Sequence, residues 1–467
     1  MLKYLLFLAI VACAPVQEIT YYKDVRPIIE LHCSNECHHP NGVGVPAFDE
    51  KSTPALIELI LREIDAGNMP PWMPSADSVS LQAVREISSQ EIDILRLWSR
   101  NRLMGDAATY TAPPMKPQNR PDRSCDLQVM AQQPYLPPQF TDEIHCFLLP
   151  AQPGWIEAYE AVIGEPALMH HLGADIIGPS DVVKAQAKDR GQGWSCPTGV
   201  APDMTSLGAL SGISLALEHS VIYHPGYGLL VPDGGGLVLQ AHYVPHVADL
   251  ADRSGMRLWY ATGPLKQIRP FGVLAPSILP CPTGLSANVN SPCSLEYAAA
   301  HDSLPDALKT NLQTLSGCGM SISHYSNLAY TQDPVDHFAV AAGCTVPLLT
   351  GSILAIAPHA HTRATWITVD LMSPDGRITP LLNIPRWRWR WESTFWLTQP
   401  LEIPPGSSVR ATCELDNGEL MQWNAAEGQP PPGDQPAPPP RQSAQLRMYG
   451  NDRKDEMCYI RLDIVEP

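Results

Sequence analysis

The stretch GSILAIAPHAHTRATWITVDLMS, residues 351–373, contains two apolar, β-branched runs on either side of His359-Ala360-His361. Short runs rich in Ile, Val and Thr and bounded by Gly, Pro and Asp read as strands. In a strand, side chains at i and i+2 share a face, so His359 and His361 can reach one metal ion. The same pattern recurs at residues 234–245 (GGGLVLQAHYVP) and 406–417 (GSSVRATCELDN). From about residue 125 onward the chain therefore reads as mainly β, with sandwich architecture and two consecutive domains meeting near 265–280. The 48 prolines agree with short strands rather than long helices.

Before residue 105 the period changes. IELILREI (57–64) and SSQEIDILRLWSR (88–100) carry apolar residues at helical spacing. Ser88 or Ser89 is placed to cap the second helix, with Glu91 or Asp93 in its first turn. Prolines make GNMPPWMP (67–74) a loop and TAPPMKPQNRP (111–121) a linker. QPPPGDQPAPPP (429–440) reads as a low-complexity loop. The expected division is 1–17 leader, 18–105 helical domain, 106–124 linker, and β domains at 125–270 and 271–467.

A net charge of -17 excludes nucleic acid as a partner, since that affinity rests on Lys and Arg neutralising phosphates. The leader has Lys3 before a short apolar run. It ends in Ile10-Val11-Ala12-Cys13, which resembles a bacterial lipobox with Cys13 as the lipidated residue. The expectation is a cell-envelope protein, periplasm-facing or on the surface, held to the membrane only by a lipid anchor. Twelve cysteines suit that compartment.

Two ligand groups point to redox chemistry. LHCSNECHHP (31–40) holds Cys33-x-x-x-Cys37-His38. Haem c attachment needs two thiols and an adjacent imidazole, and Met69 is the natural distal ligand. The usual spacing is C-x-x-C-H, one residue shorter. A Cys33–Cys37 disulfide is the alternative, with His32 and His39 as surface residues or substitute ligands. The segments YYKDVRPIIELHC, CHHP and MPPW resemble small cytochrome c domains fused to bacterial oxidoreductases.

The second group is His170-His171 in ALMHHLGAD, His242 in LVLQAHYVP, His359 and His361, and Met457 in DEMCYIRLD. Five imidazoles and a thioether suit copper cycling between Cu(II) and Cu(I). Adjacent His170 and His171 would face opposite ways in a regular strand, so sharing a metal requires a bulge. Taken singly, His242 reads as a structural residue and the H-x-H pair as a surface pair beside a core Met. Taken together and in this order, the motifs from about 140 to 467 resemble the copper type II ascorbate-dependent monooxygenases. That family includes the peptidylglycine α-hydroxylating and dopamine β-monooxygenases.

The resemblance implies two tandem antiparallel, jelly-roll-like β-sandwich domains with one copper on each. His170, His171 and His242 would hold the electron-storing copper. His359, His361 and Met457 would form the catalytic, oxygen-activating site. The implied reaction is hydroxylation of a C–H bond of a small organic substrate by O2. Electrons would come from ascorbate or another external reductant, with a periplasmic donor or the cytochrome-like domain as the route. It also implies a Cys413–Cys458 bridge across neighbouring strands. Setting aside Cys13, Cys33 and Cys37 leaves nine cysteines. Cys281, Cys293, Cys318 and Cys344 are expected in two bridges of open pairing, and at least one of Cys125, Cys146 and Cys196 stays free.

Departures touch the substrate. Peptide-amidating members carry Arg where this chain has Ala357 and Tyr where it has Arg461, so a peptide C-terminal glycine is not expected. The competing class is a non-catalytic redox or copper-binding lipoprotein. A zinc hydrolase is disfavoured because Met is a poor zinc ligand. A blue-copper protein is disfavoured because no Cys accompanies the histidines. Arg386-Trp387-Arg388-Trp389-Arg390-Trp391 reads as a strand with Trp packed inward and Arg solvated; the alternative is a docking or substrate rim. His219, His224, His246, His301, His324 and His337 have no counterpart in the family, and His224 is a spare-ligand candidate.

Overall fold

The computed structural model describes residues 18–466 except 36, 41–43, 45, 83, 114–119, 141–142, 198–202, 215–219, 245, 247–248, 280–285, 302–306, 320–338, 417–445, 447–449 and 451–454. Cys13, Cys281, His219, His324, His337 and the proline-rich stretch 429–440 lie outside the described residues. Two compact units are present. One takes in the residues up to Pro70 together with Arg85–Pro117; the other takes in Pro71–Val84 and Gln118–Pro467. The segment 71–84 therefore belongs to the β unit rather than to the helices that flank it in sequence.

The first unit is helical. Turns Tyr21–Val25, Arg26–Ile29 and Glu30–Ser34 follow one another, and two longer helices run over Ser52–Asp65 and Ser89–Asn101. Ser88 starts the last of these with a capping box. Its side chain accepts from the Glu91 N–H, and the Glu91 carboxylate accepts from the Ser88 N–H. Arg102 ends the helix in the left-handed region at φ 52°. Tyr21, Val25, Ile29, Ile57, Leu61, Leu95 and Trp98 form the core. Full burial of a residue such as Ile57 or Leu95 contributes about 1.5–3 kcal/mol.

The second unit is mainly β, with several antiparallel sheets. A nine-stranded sheet runs in the order Leu127–Met130, Gly255–Tyr260, Gly154–Val162, Tyr227–Val231, Lys266–Ala275, Cys458–Val465, Gly351–Ala360 and Phe395–Ile403, with Ser220–Ile222 also pairing to Gly154–Val162. One end of it shares a core with a five-stranded sheet (Trp194–Ser195, Glu143–Pro150, Gly236–Tyr243, Met169–Ile177, Ser206–Ser214). The other end shares a core with a four-stranded sheet (Ala339–Pro347, Ser408–Asp416, Ala364–Met372, Ile378–Ile384). Both pairings are sandwich packing, with alternate side chains buried between the layers.

Lys266–Ala275 joins the two ends. It lies parallel to Tyr227–Val231 and antiparallel to Cys458–Val465. Within the region 265–280, Lys266–Ala275 is thus a ladder strand. Residues 71–84 cover the four-stranded end. Met73 and Leu81 enter its core, Trp72 meets the Phe395 ring edge-on at 5.6 Å, and Leu81 bridges to Leu397.

Three disulfides stand among the described residues. Cys146–Cys196 and Cys318–Cys344 are two of them, and Cys125 keeps its thiol. The third, Cys413–Cys458, corrects the expectation of neighbouring strands. Cys413 lies in the four-stranded sheet and Cys458 in the nine-stranded one, so the bridge staples two facing layers. Disulfides fit a protein outside the cytoplasm. Among the described residues no helix is long and apolar enough to cross a membrane.

The arginine–tryptophan hexad is not a strand, which corrects the sequence reading. Pro385 follows the strand Ile378–Ile384 and brings no N–H to extend its ladder. The chain bends and forms a 3-10 turn at Trp389–Trp391. Trp387 and Trp389 are buried, so the inward half of the expectation holds.

Candidate metal centres

His170 and His171 start the strand Met169–Ile177, and His242 lies near the end of Gly236–Tyr243. These strands are neighbours, with His171 opposite His242. Their register shifts between Met169 and His171, which is the irregularity two adjacent histidines need to face one ion. The ligand nitrogens of His170, His171 and His242 lie within 4.8 Å of one another. Ring centroids are 4.8 Å apart for His170–His171 and 5.0 Å for each with His242. His170 and His242 are buried and His171 is half-buried. Three converging imidazoles, two of them buried, could hold a metal ion.

The second group sits where Gly351–Ala360 meets Cys458–Val465, with His359 opposite Tyr459 and Ala360 opposite Cys458. The His359 and His361 rings are 5.3 Å apart and nearly perpendicular. His359 Nδ1 lies 2.6 Å from a Glu392 carboxylate oxygen, and His361 Nδ1 lies 3.2 Å from the Asp455 carbonyl oxygen. Each ring thus has Nδ1 committed to a protein acceptor, which leaves Nε2 as the ligand atom. Metal-binding histidines are commonly oriented in this way.

The electrostatics differ between the two rings. Burial, then the neighbouring His359, pushes His361 down to about 3, so it is a neutral imidazole at neutral pH. Burial also pulls His359 down, but the Glu392 charge and hydrogen bond outweigh it and leave His359 raised.

Glu456 fixes this end of the sheet. Its carboxylate accepts from the backbone N–H groups of His361 (2.6 Å), Met457 (2.8 Å) and Arg363 (2.9 Å). One oxygen therefore ties the backbone of His361 to that of Met457. Burial raises the Glu456 carboxyl to about 7, against the pull of those three N–H groups and Arg363. Trp387 adds a bond from its indole N–H to the His361 carbonyl, 3.1 Å.

The two groups approach each other through the turn after Trp387. Trp389 stacks on His170 at 3.7 Å between centroids, tilted 26°, and meets His242 edge-on at 5.8 Å. Glu392 and Glu456 were assigned no role from sequence, and Trp389 was read only as one of the hexad. Glu456 directly precedes Met457 in DEMC, which was the available signal; Glu392 and Trp389 had none beyond the hexad.

Ala357 and Arg461, the two departures, stand opposite each other in the strand pair. Arg461 is ion-paired with Asp463 at 3.1 Å. His224, the spare-ligand candidate, has its Nε2 2.9 Å from the Leu397 carbonyl oxygen. His246 and His301 likewise have Nδ1 beside backbone carbonyls. His145, not singled out from sequence, has Glu143 and the Gln192 carbonyl at its two nitrogens.

In the helical unit, His38 is buried, stacks on Phe48 at 4.3 Å, and has Nδ1 2.8 Å from the Pro46 carbonyl oxygen. Cys33 and Cys37 are half-buried thiols, and the His38 N–H donates to the Cys33 carbonyl at 2.9 Å. Gly44 packs so closely that a Cβ there would lie 2.8 Å from the His38 ring. Met69 lies in the turn after Ser52–Asp65 and is 37 % exposed. His32 Nε2 lies 3.0 Å from a Glu91 carboxylate oxygen. His39 is half-buried.

No family model matches the sequence, and no curated protein matches it. Among solved structures, a xanthan lyase from Paenibacillus is similar over 76% of this chain and 28% of its own, at 9% identity and TM-score 0.14. The chain thus spans well under a third of that lyase. Procruciferin, an 11S globulin from Brassica napus, covers 70% of this chain and 77% of its own at 9% identity and TM-score 0.13. Oxalate decarboxylase from Bacillus subtilis covers 76% and 81% at 8% identity and TM-score 0.13.

Proposed function

We propose that the chain is a copper-dependent monooxygenase that hydroxylates a C–H bond of a small organic substrate with O2. The observation that carries this reading is the convergence of His170, His171 and His242 within 4.8 Å, beside a second pair, His359 and His361, oriented through Nδ1. Tandem copper domains, as in the monooxygenases the motifs resemble, are part of the proposal.

The donor chemistry fits copper. Three imidazoles suit both oxidation states, and two imidazoles with the Met457 thioether favour the reduced ion. Copper would supply electron storage at the first group and oxygen activation at the second. The protein's own part is positional. Glu392 and the Asp455 carbonyl set the planes of the His359 and His361 rings. Glu456 locks the backbone that carries His361 and Met457. Burial keeps His361 neutral and ready to ligate. Arg461 has its charge met by Asp463, and Ala357 opposite offers no charge, so nothing in this pair favours a peptide carboxylate.

Haem c in the helical unit is proposed as an electron input, through Cys33, Cys37 and His38, with Met69 as distal ligand. The bond from His38 Nδ1 to a carbonyl leaves Nε2 for iron, which supports the assignment. Ascorbate or another external reductant is the alternative donor. The lipid anchor at Cys13 and the periplasmic location remain part of the proposal.

The test is metal content and visible spectrum of the protein isolated from a periplasm competent for haem c maturation. About two coppers per chain and a reducible c-type Soret band are expected. Two coppers without haem keep the enzyme and move the donor outside the chain. Failure to take up copper after reconstitution overturns the monooxygenase. The donor route is tested by Cys33→Ala/Cys37→Ala, whose copper should be reduced more slowly by a physiological donor.

A further inference from the structure

The 3-10 turn Trp389–Trp391 and the residues beside it touch both histidine groups. Two residues before the turn, Trp387 donates its indole N–H to the His361 carbonyl. Within it, the Trp389 indole lies face to face on His170, 3.7 Å away, and edge-on to His242. Directly after it, Glu392 reaches back to His359 Nδ1 at 2.6 Å. The turn is closed on itself, because the Trp391 N–H donates to the Arg388 carbonyl at 2.8 Å and the Glu392 N–H to the Trp389 carbonyl at 3.2 Å. Trp389 is 1% exposed, so water does not compete for the stacking face.

We propose that this turn is a positioning bridge between the two metal centres, in which Trp389 fixes the ring of His170 while Glu392 fixes the ring of His359. The inference rests on the copper reading of the two groups. Its physical content is that one short hydrogen-bonded turn sets both ligand planes at once. A tilt of the turn must then move a ligand of each centre together. An aromatic stack tolerates sliding but not separation, and it favours particular offsets. A carboxylate at 2.6 Å allows still less play. The two centres are therefore held at one separation, and a perturbation at one is felt at the other. Such coupling is reciprocal by thermodynamic necessity. Trp389 and Glu392 are positioning residues; neither is placed among the metal ligands.

The experiment uses the full chain loaded with Cu(II), with readouts independent of turnover. Electron paramagnetic resonance gives the spectrum of each copper and the dipolar broadening between the two. A competing chromophoric chelator gives affinity. His359→Ala isolates the first centre for comparison. Trp389→Leu removes the stack and Trp389→Phe keeps an aromatic face. With the leucine variant, the first-centre spectrum should shift, the dipolar broadening should change, and first-centre affinity should fall about two- to tenfold, the scale of an aromatic pair. The phenylalanine variant should restore the wild-type spectrum. Glu392→Gln cuts the other end and should alter the dipolar broadening while the stack stays intact; it carries the test if the leucine variant does not fold. A folded leucine variant with wild-type spectra, broadening and affinity overturns the bridge but leaves the copper reading standing. A wild-type chain that takes up no copper overturns both.

Discussion

Replacing Glu456 with alanine should unfold the β unit far more easily than loss of one surface carboxylate would. Glu456 is fully buried and accepts three backbone N–H groups, from His361, Met457 and Arg363, at 2.6–2.9 Å. All three residues are themselves buried. Alanine leaves those donors without the carboxylate, and an orphaned buried donor costs about 1–3 kcal/mol. Three such donors give a loss of about 3–9 kcal/mol, reduced by the gain from no longer burying a carboxylate. A net loss near 3 kcal/mol is the lower expectation, since breaking a buried charged network by removing one partner typically costs about 3–5 kcal/mol. Glutamine keeps one carbonyl acceptor and should lose less. Urea denaturation of the chain, followed by tryptophan fluorescence, measures the midpoint and the slope. An unchanged slope with a lowered midpoint assigns the effect to stability. Alanine and glutamine variants that both stay within about 1 kcal/mol of wild type would refute the idea that this carboxylate organises the second metal centre.

Four further outcomes follow from the geometry. His242→Ala should lower bound copper from about two per chain to about one, by metal analysis after dialysis, because a three-imidazole group loses the member between two strands; retention of both coppers would count against the first centre. Cys413→Ala with Cys458→Ala opens a link of sequence separation 45 between facing sheets. It should lower stability by about 4 kcal/mol by the loop-entropy relation, read as a shift in denaturation midpoint. Ser88→Ala should weaken the helical unit by about 1 kcal/mol through loss of the cap, seen as a lower melting temperature of the far-ultraviolet signal. Trp387→Phe removes the indole bond to the His361 carbonyl and should cost about 0.5–1.5 kcal/mol without changing copper stoichiometry, by denaturation and metal analysis together.

The strands that carry the ligands were legible because their pattern is local. Short apolar runs bounded by Gly, Pro and Asp located Gly236–Tyr243, Gly351–Ala360, Ala364–Met372 and Ser408–Asp416, and the helical period located Ser52–Asp65 and Ser89–Asn101. Even the irregularity at His170-His171 followed from local geometry, since two adjacent side chains on one face need a shifted register. What was not legible depends on partners distant in sequence. Glu392 reaches a ring 33 residues away, and Glu456 accepts from N–H groups 93 and 95 residues away besides that of its neighbour Met457; only the place of Glu456 beside Met457 hints at such a role. The hexad misled for a related reason. Its Arg–Trp alternation has the period of a strand, but Pro385 ends the ladder and burial of Trp387 and Trp389 is better served by a turn. The Cys413–Cys458 bridge fell between layers rather than within one because sheet membership is a property of the whole topology.

The continuous nine-stranded sheet bears on how two metal centres can work together. Cys458–Val465 pairs on one side with Lys266–Ala275, which leads back to the strands over the first core, and on the other with Gly351–Ala360, which carries His359 at its last-but-one position. Displacing the second histidine group relative to the first by a hinge would require breaking ladder hydrogen bonds along that path. Small residues and an open linker would permit such a hinge; a strand in register with Cys458–Val465 over eight residue pairs does not. The sheet supplies a fixed frame, and the hydrogen-bonded turn that carries Trp389 and Glu392 adds a second fixed link between the two groups. Variants that loosen the turn should for that reason change the dipolar broadening between the coppers, whereas variants in the ladder should first lower global stability.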